Sequence, residues 1–235
     1  SAPALGQVLS ALTGMVFTLM VIRFLSDQDF GIWQNMADLF SYFTALESVI
    51  PFWTRRFVAR GFRGSGRTGL VLNMAIGALM ATSYGLMAPL LMALLGVGPG
   101  YIVPYLLISI RIFELYALRG VSAVLHPTRP EAIGYAIIIK EVLKIAMAFL
   151  LVIRAGLGLT GVISSVIVAH AVQVSFSLLV ARRHIEGPVN WSYAKEWVKS
   201  SFHPLYNLLG QRFPVLALLV LFAVSPEGEL ARGYY

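Results

Sequence analysis

FLSDQDFGIWQNMADLFSYFTALESVIPFWTRRFVARGFRGSGRTG, residues 24–69, contains a polar turn, a long apolar run and a cluster of five arginines. At about 1.5 Å per residue, a helix over residues 32–53 is long enough to cross a hydrocarbon core of about 30 Å. Polar side chains recur in it at three- and four-residue steps, which predicts one polar helical face. They are Gln34, Asn35, Asp38, Ser41, Tyr42 and Ser48. We therefore predict a membrane-spanning helix with one polar side.

The composition of the whole chain supports the same class. Hydrophobic residues make up 58% and charged residues 12%, and the mean hydropathy is +0.78, which is too apolar for a soluble domain. The chain has no cysteine, so a disulfide framework and a thiolate metal site are excluded. The net charge of +7 comes from basic residues in loops beside apolar segments, which predicts membrane topology rather than nucleic-acid binding.

Seven spans are predicted in all. The first covers residues 4–24 and the second is the 32–53 run. Two crossings fit into the uncharged stretch between Arg67 and Arg111, separated by the Gly-rich turn 96–100; the later of them covers residues 102–125. The fifth span covers residues 131–153, and the sixth follows a Gly-rich turn at 155–161 and ends near Arg182. An amphipathic helix at 190–201 is expected to lie in the membrane interface, before a seventh span at 204–224.

The predicted fold is an all-α polytopic membrane protein with about seven transmembrane helices. The turn after the first span (residues 26–33) is weakly echoed after the seventh (residues 225–235), as in a parallel repeat. This predicts a first six-helix bundle at 1–185, an interfacial linker at 186–202, and the first helix and turn of a second bundle at 203–235. The first residues lack the features of a signal peptide, and we expect the chain to be a fragment.

Loop charges predict the orientation. With a cytoplasmic N-terminus, the inner loops hold five, one and four Lys or Arg residues, whereas the outer turns hold only Arg23 and Arg154. Basic residues concentrate in cytoplasmic loops. We expect a multi-pass protein of the cell membrane whose N-terminus is cytoplasmic.

Two short motifs carry a resemblance to a known family. The turn LSDQDFGIW (residues 25–33) follows the first span, and RRFVARG (residues 55–61) ends the second. This arrangement resembles the start of the polysaccharide-transporter family, the lipid-linked oligosaccharide flippases of the multidrug/oligosaccharidyl-lipid/polysaccharide exporter superfamily. The resemblance implies two helical bundles around a central cavity. It also implies flipping of a polyprenyl-diphosphate-linked oligosaccharide by alternating access, with a coupling ion, Na⁺ or H⁺, and membrane lipids as partners.

Charged residues inside the spans are the candidate site, because each costs about 2.5–3.5 kcal/mol at mid-bilayer. Cations outnumber acids there, as expected where a diphosphate is held. We predict a cavity whose walls carry these charges and the polar face of the second span: Asn35, Asp38, Tyr42, Arg111, Lys140, Lys144 and Arg212. The competing interpretation is internal pairing of Arg111 with Glu114 and of Glu141 with Lys144, while Glu47 and Arg119 extend to the interface.

Other patterns point away from catalysis and cofactors. GFRGSGRT (residues 61–68) is close to a phosphate-loop motif, but it joins two membrane helices, so ATP binding is not expected. His170, Gln173 and Ser177 share a helical face that favours a polar helix–helix contact. The histidines lack metal-ligand spacing, and no catalytic residues stand out. Two alternatives remain: a cation-coupled multidrug exporter of the same superfamily, and a membrane glycosyltransferase or polymerase acting on polyprenyl-linked sugars.

Overall fold

The computed structural model describes the backbone of residues 2–201 and the side chains of residues 11–201. This part of the chain is helical, with short turns and no strands. The helices are α1 (Ala2–Phe24), α2 (Asp27–Phe43), α3 (Val49–Ala59), α4 (Ser65–Leu94), α5 (Ile102–Thr128), α6 (Pro130–Ala148), α7 (Gly158–Ala181) and α8 (Trp191–Ser200). A 3₁₀ turn (Pro99–Tyr101) leads into α5, a π-helical turn (Phe149–Arg154) extends α6, and a 3₁₀ turn (Arg182–His184) ends α7.

Three of the helical segments are long and apolar enough to cross a membrane. They are Ser65–Leu94, Pro99–Thr128 and Gly158–His184, with 27 to 30 residues each. Their outer faces carry exposed leucines, such as Leu86 at 79% and Leu94 at 74%, as expected for a surface in contact with lipid. The predicted class, an all-α polytopic membrane protein, is confirmed. The seventh span, at 204–224, lies outside the described residues.

The second predicted span is not one helix, and this corrects the sequence-based expectation. Residues 44–48 separate α2 from α3. Here the amides of Ala45, Glu47 and Val49 bond to carbonyls three residues back instead of four, so the α-helical hydrogen-bond pattern is interrupted. The Tyr116 hydroxyl donates to the Phe43 carbonyl at 3.0 Å, which satisfies an acceptor freed at the break. Helix α3 begins at Val49. Pro51 lies in its first turn, where backbone N–H groups have no partner within the helix, so its missing N–H costs no hydrogen bond.

Small residues bring the helices of the bundle close together. Helix α4 packs along α5, α6 along α7, and α1 against α6. A Cβ atom added to Gly77 of α4 would lie 2.5 Å from the Tyr116 Cβ of α5. One turn before Gly77, the Asn73 amide donates to the Tyr116 carbonyl at 2.6 Å. The α4–α5 contact is therefore close-packed and includes a buried polar tie.

The last described helix packs against the bundle. Helix α8 confirms the amphipathic helix predicted at 190–201, with Asn190 as its N-cap. Its Trp197 is fully buried, and its ring lies 5.2 Å from that of Phe57 on α3. Its position in the membrane interface stays a prediction. Helix α7 begins at Gly158, so the Gly-rich turn before it is shorter than the predicted 155–161.

Candidate substrate-binding site

A cluster of charged side chains lies within the bundle, on α5 and α6 and against α1. The middle of α6 contributes Lys140, Glu141 and Lys144, and the middle of α5 contributes Arg111 and Glu114. All five side chains are at most 14% exposed. Their charges are therefore held mostly out of water, where electrostatic interactions are strong.

Glu141 is the centre of the α6 part of the cluster. Its side chain is fully buried and accepts from Lys144 Nζ at 2.6 Å, and it also forms an ion pair with Lys140. The Thr13 hydroxyl of α1 donates to the same carboxylate at 2.5 Å. One carboxylate thus faces two ammonium groups, which leaves a net positive charge on this group of side chains and ties α1 to α6.

Arg111 has its own partner. Its guanidinium donates to Glu114 at 2.9 Å, one helical turn further along α5, and the pair is nearly buried. Its Cζ atom lies 5.7 Å from the ring centroid of Phe40 on α2, within the range of a cation–π contact. The interpretation of internal pairing is therefore correct for this residue, and Arg111 adds no surplus charge.

The cations of the two helices meet around α7. His170 of α7 lies within electrostatic range of Arg111, Lys140 and Lys144. The imidazole Nδ1 is 2.9 Å from the Val166 carbonyl of its own helix. Further along the same face, Gln173 and Ser177 are buried, and the Gln173 carbonyl oxygen has no hydrogen-bond partner among the described residues.

The polar face of α2 turns away from the packed side of that helix. Asp38 is exposed, and Asn35 and Tyr42 are half-buried beside it. Met36 is fully buried and lies about 160° around the helix from Asp38. Asp38 forms no ion pair with the described cations. Its role in a cavity stays a prediction, as does that of Arg212, which lies outside the described residues.

Two contacts were not predicted from the sequence. Thr13 reaches Glu141 across 128 residues of sequence, and nothing in the local pattern of α1 indicates that partner. Glu47 or Arg119 was expected to extend to the interface, and that position stays a prediction. Their contact was not expected: Arg119 Nη2 lies 2.8 Å from Glu47 Oε1, which ties the α2–α3 break to α5. For this pair, the opposite charges of the two residues on different predicted spans were the only signal in the sequence.

Potential metal and nucleotide sites find no support in this geometry. Within residues 11–201, no group of three His or acidic side chains is arranged to hold a metal ion. The phosphate-loop-like segment 61–68 lies at the junction of α3 and α4, so a helix and not a strand precedes it.

Comparison with known proteins supports the fold. No family model matches the sequence, and a search of curated proteins gives no significant match. A solved structure, the Vibrio cholerae MATE transporter VcmN in the bent form, aligns with a TM-score of 0.67 and 18% sequence identity over 97% of this chain. The fold of the chain is similar to that of a MATE transporter. The aligned region is 57% of the transporter, so the chain spans little more than half of its length.

This similarity confirms an all-helical transporter-like fold for the chain, over little more than half of the transporter's length. At 18% identity it supports the architecture only, and it does not separate the flippase branch from the multidrug branch.

Proposed function

We propose that the protein is part of a membrane transporter, not an enzyme, and that it exports a lipid-linked oligosaccharide across the cell membrane. The substrate is a polyprenyl diphosphate carrying a glycan for cell-surface assembly. Transport proceeds by alternating access, with the bundle described here moving against a second bundle. The N-terminus is cytoplasmic in this proposal, in accordance with the basic loops.

The observation that carries the proposal is the shared carboxylate of α6. Among the described residues, Lys140 and Lys144 share one acid, Glu141, and all three side chains are nearly or fully buried. An uncompensated ammonium in such surroundings is costly unless an anion joins the group. The substrate diphosphate supplies that anion, and charge-assisted hydrogen bonds to its oxygens hold it.

The remaining predicted residues fit around this anion site. The exposed face of α2, with Asn35, Asp38 and Tyr42, supplies hydrogen-bonding groups for the sugar part of the substrate. Arg212, from the second bundle, adds a further cation. The polyprenyl tail stays in the bilayer, so only the head group passes through the cavity.

A cation-coupled multidrug exporter is the second candidate, and one observation favours it. Asp38 is exposed, has no ion-pair partner among the described residues, and has Tyr42 one turn away on the same face. A carboxylate beside an aromatic ring attracts lipophilic cations. In this alternative the acid of α2, and not the lysines of α6, holds the substrate.

Binding measurements on the purified full-length protein separate the two candidates. A polyprenyl diphosphate and tetraphenylphosphonium serve as the two ligands, with Lys140→Gln and Asp38→Asn as the variants. Lys140→Gln is a clean test because Lys144 keeps its ion pair with Glu141. We expect diphosphate affinity to fall roughly tenfold or more in Lys140→Gln and to change little in Asp38→Asn.

The reverse pattern supports the drug exporter. Tetraphenylphosphonium binding that is lost in Asp38→Asn, together with no diphosphate binding to the wild type, overturns the proposal. Export of the lipid-linked glycan should also be lost in Lys140→Ala, and Gln should not restore it, because the charge and not a hydrogen bond holds the anion.

A further inference from the structure

A cavity of about 360 Å³ lies between α3 and α5. This volume is at the lower end of the range for small-ligand sites. Most of its lining is basic or carries a hydroxyl group: Arg55, Arg56, Arg119, His126, Ser48 and Ser122. Arg119 is about 12 Å along α5 from Arg111. The cavity is therefore separate from the cluster that holds the proposed transport substrate.

The cavity has more positive than negative charge. Glu47 Oε1 accepts from Arg119 at 2.9 Å from Nε and 2.8 Å from Nη2, which fixes that guanidinium in place. Arg55 and Arg56 are exposed and form no ion pair within the described part of the chain. His126 interacts electrostatically with both Arg55 and Arg119, so these side chains lie close together. The lining thus includes three guanidinium groups, of which Arg119 alone has a carboxylate partner among the described residues.

One of these arginines is held on an aromatic ring. The Cζ atom of Arg56 lies 4.0 Å from the ring centroid of Phe52 and 5.8 Å from that of Trp53. Stacking of this kind restrains the guanidinium and leaves its edge N–H groups able to bind an anion. Phe52 lines the same cavity and is 44% exposed. The site therefore combines cationic groups with an apolar wall.

We propose that this cavity binds the phosphate head group of an anionic membrane lipid. Planar guanidinium groups bind phosphate oxygens through paired hydrogen bonds, and the serine hydroxyls can donate further ones. Phe52 offers an apolar surface to the adjoining acyl or prenyl chain. The cavity lies beside the last turns of α5, from Arg119 to His126, which lead into the predicted cytoplasmic loop 126–131, where the charge pattern places the membrane surface. Anionic phospholipids and polyprenyl diphosphates share this chemistry.

Ligand binding to the full chain in neutral detergent, followed by native mass spectrometry, tests the proposal. The ligands are dioleoyl phosphatidic acid, farnesyl diphosphate, inorganic pyrophosphate and dioleoyl phosphatidylcholine. The test variant is Arg55→Gln with Arg56→Gln. The control is Arg60→Gln with Arg182→Gln, which removes the same charge from two exposed positions that do not line the cavity.

We expect phosphatidic acid to bind the wild type and the control, and its affinity to fall roughly tenfold or more in the test variant. Farnesyl diphosphate that binds and competes with phosphatidic acid identifies the polyprenyl diphosphate as a natural occupant. Farnesyl diphosphate that fails to compete leaves the anionic phospholipid as the occupant. Both outcomes support a site for a lipid phosphate.

Three results overturn the proposal: equal loss of affinity in both variants, equal binding of phosphatidylcholine, or pyrophosphate binding as tight as that of phosphatidic acid. The first result means that general surface charge binds the lipid, the second that the site does not select anionic head groups, and the third that it binds a soluble anion. Lys140→Gln should leave phosphatidic acid binding unchanged. The outcome is therefore independent of whether the proposed transport function is correct.

Discussion

Replacing Glu141 by Gln removes the carboxylate that neutralises two lysines in the interior of the bundle. Glu141 is fully buried, and the side chains of Lys140 and Lys144 are 14% and 11% exposed. Removal of one partner of a buried ion pair costs about 3–5 kcal/mol, because the remaining charge is left without compensation. Here two charges remain, so we expect the free energy of unfolding to fall by at least about 3 kcal/mol.

The matched variant is Lys140→Gln, in which Lys144 still neutralises Glu141. We expect it to cost at most about 1 kcal/mol, the scale of a single hydrogen-bonded contact, because removal of the uncompensated ammonium offsets the lost contact. Unfolding in mixed micelles with increasing SDS, followed by tryptophan fluorescence, measures both values. Glu141→Gln combined with Lys144→Gln should recover part of the loss, since only one lysine is then unpaired. Equal costs for Glu141→Gln and Lys140→Gln would refute the shared-carboxylate arrangement.

Two further predictions concern packing and topology. Gly77→Ala should destabilise the bundle by about 1–3 kcal/mol, because the new Cβ would lie 2.5 Å from Tyr116. The control is Gly31→Ala, where the new Cβ would have no atom within 4 Å. In the same unfolding assay, this control should be neutral or stabilising by about 0.5–1 kcal/mol. Single cysteines at Arg60 and Gly98, both exposed, test the orientation by labelling of intact cells with a membrane-impermeant maleimide. Gly98→Cys should react from outside and Arg60→Cys should not; the opposite result reverses the proposed topology.

The apolar composition and the positions of glycine and proline were enough to predict an all-helical membrane protein. Apolar length predicts spans regardless of tertiary contacts, and glycine-rich or proline-containing turns mark most of their ends. The break between α2 and α3 could not be predicted in this way. Tyr116 and Arg119 bond to Phe43 and Glu47 at the break, and these contacts join residues more than 70 positions apart. A single apolar run has no local signal for contacts of that kind.

Only part of the candidate site could be predicted from the sequence. Pairing of Arg111 with Glu114 and of Lys144 with Glu141 follows from the spacing of three residues on a helix. Neighbouring side chains such as Lys140 and Glu141 do not normally face each other, so their contact was not expected. The position of Asp38 relative to a cavity depends on the second bundle, and the sequence of α2 gives only its helical face.

Helix α5 connects the two anion sites proposed here, and its geometry constrains how they can work together. Arg111 and Arg119 are about 12 Å apart along one helix, which is several times the 4 Å reach of an ion pair. The two arginines therefore lie at different depths along the bundle. Each of them keeps a carboxylate partner, Glu114 or Glu47, whereas the two lysines of α6 share one carboxylate among the described residues. We expect a polyprenyl diphosphate that uses both sites to occupy them in sequence, with the basic cavity between α3 and α5 as the membrane-surface step. The lysines of α6 would then be the step within the bundle.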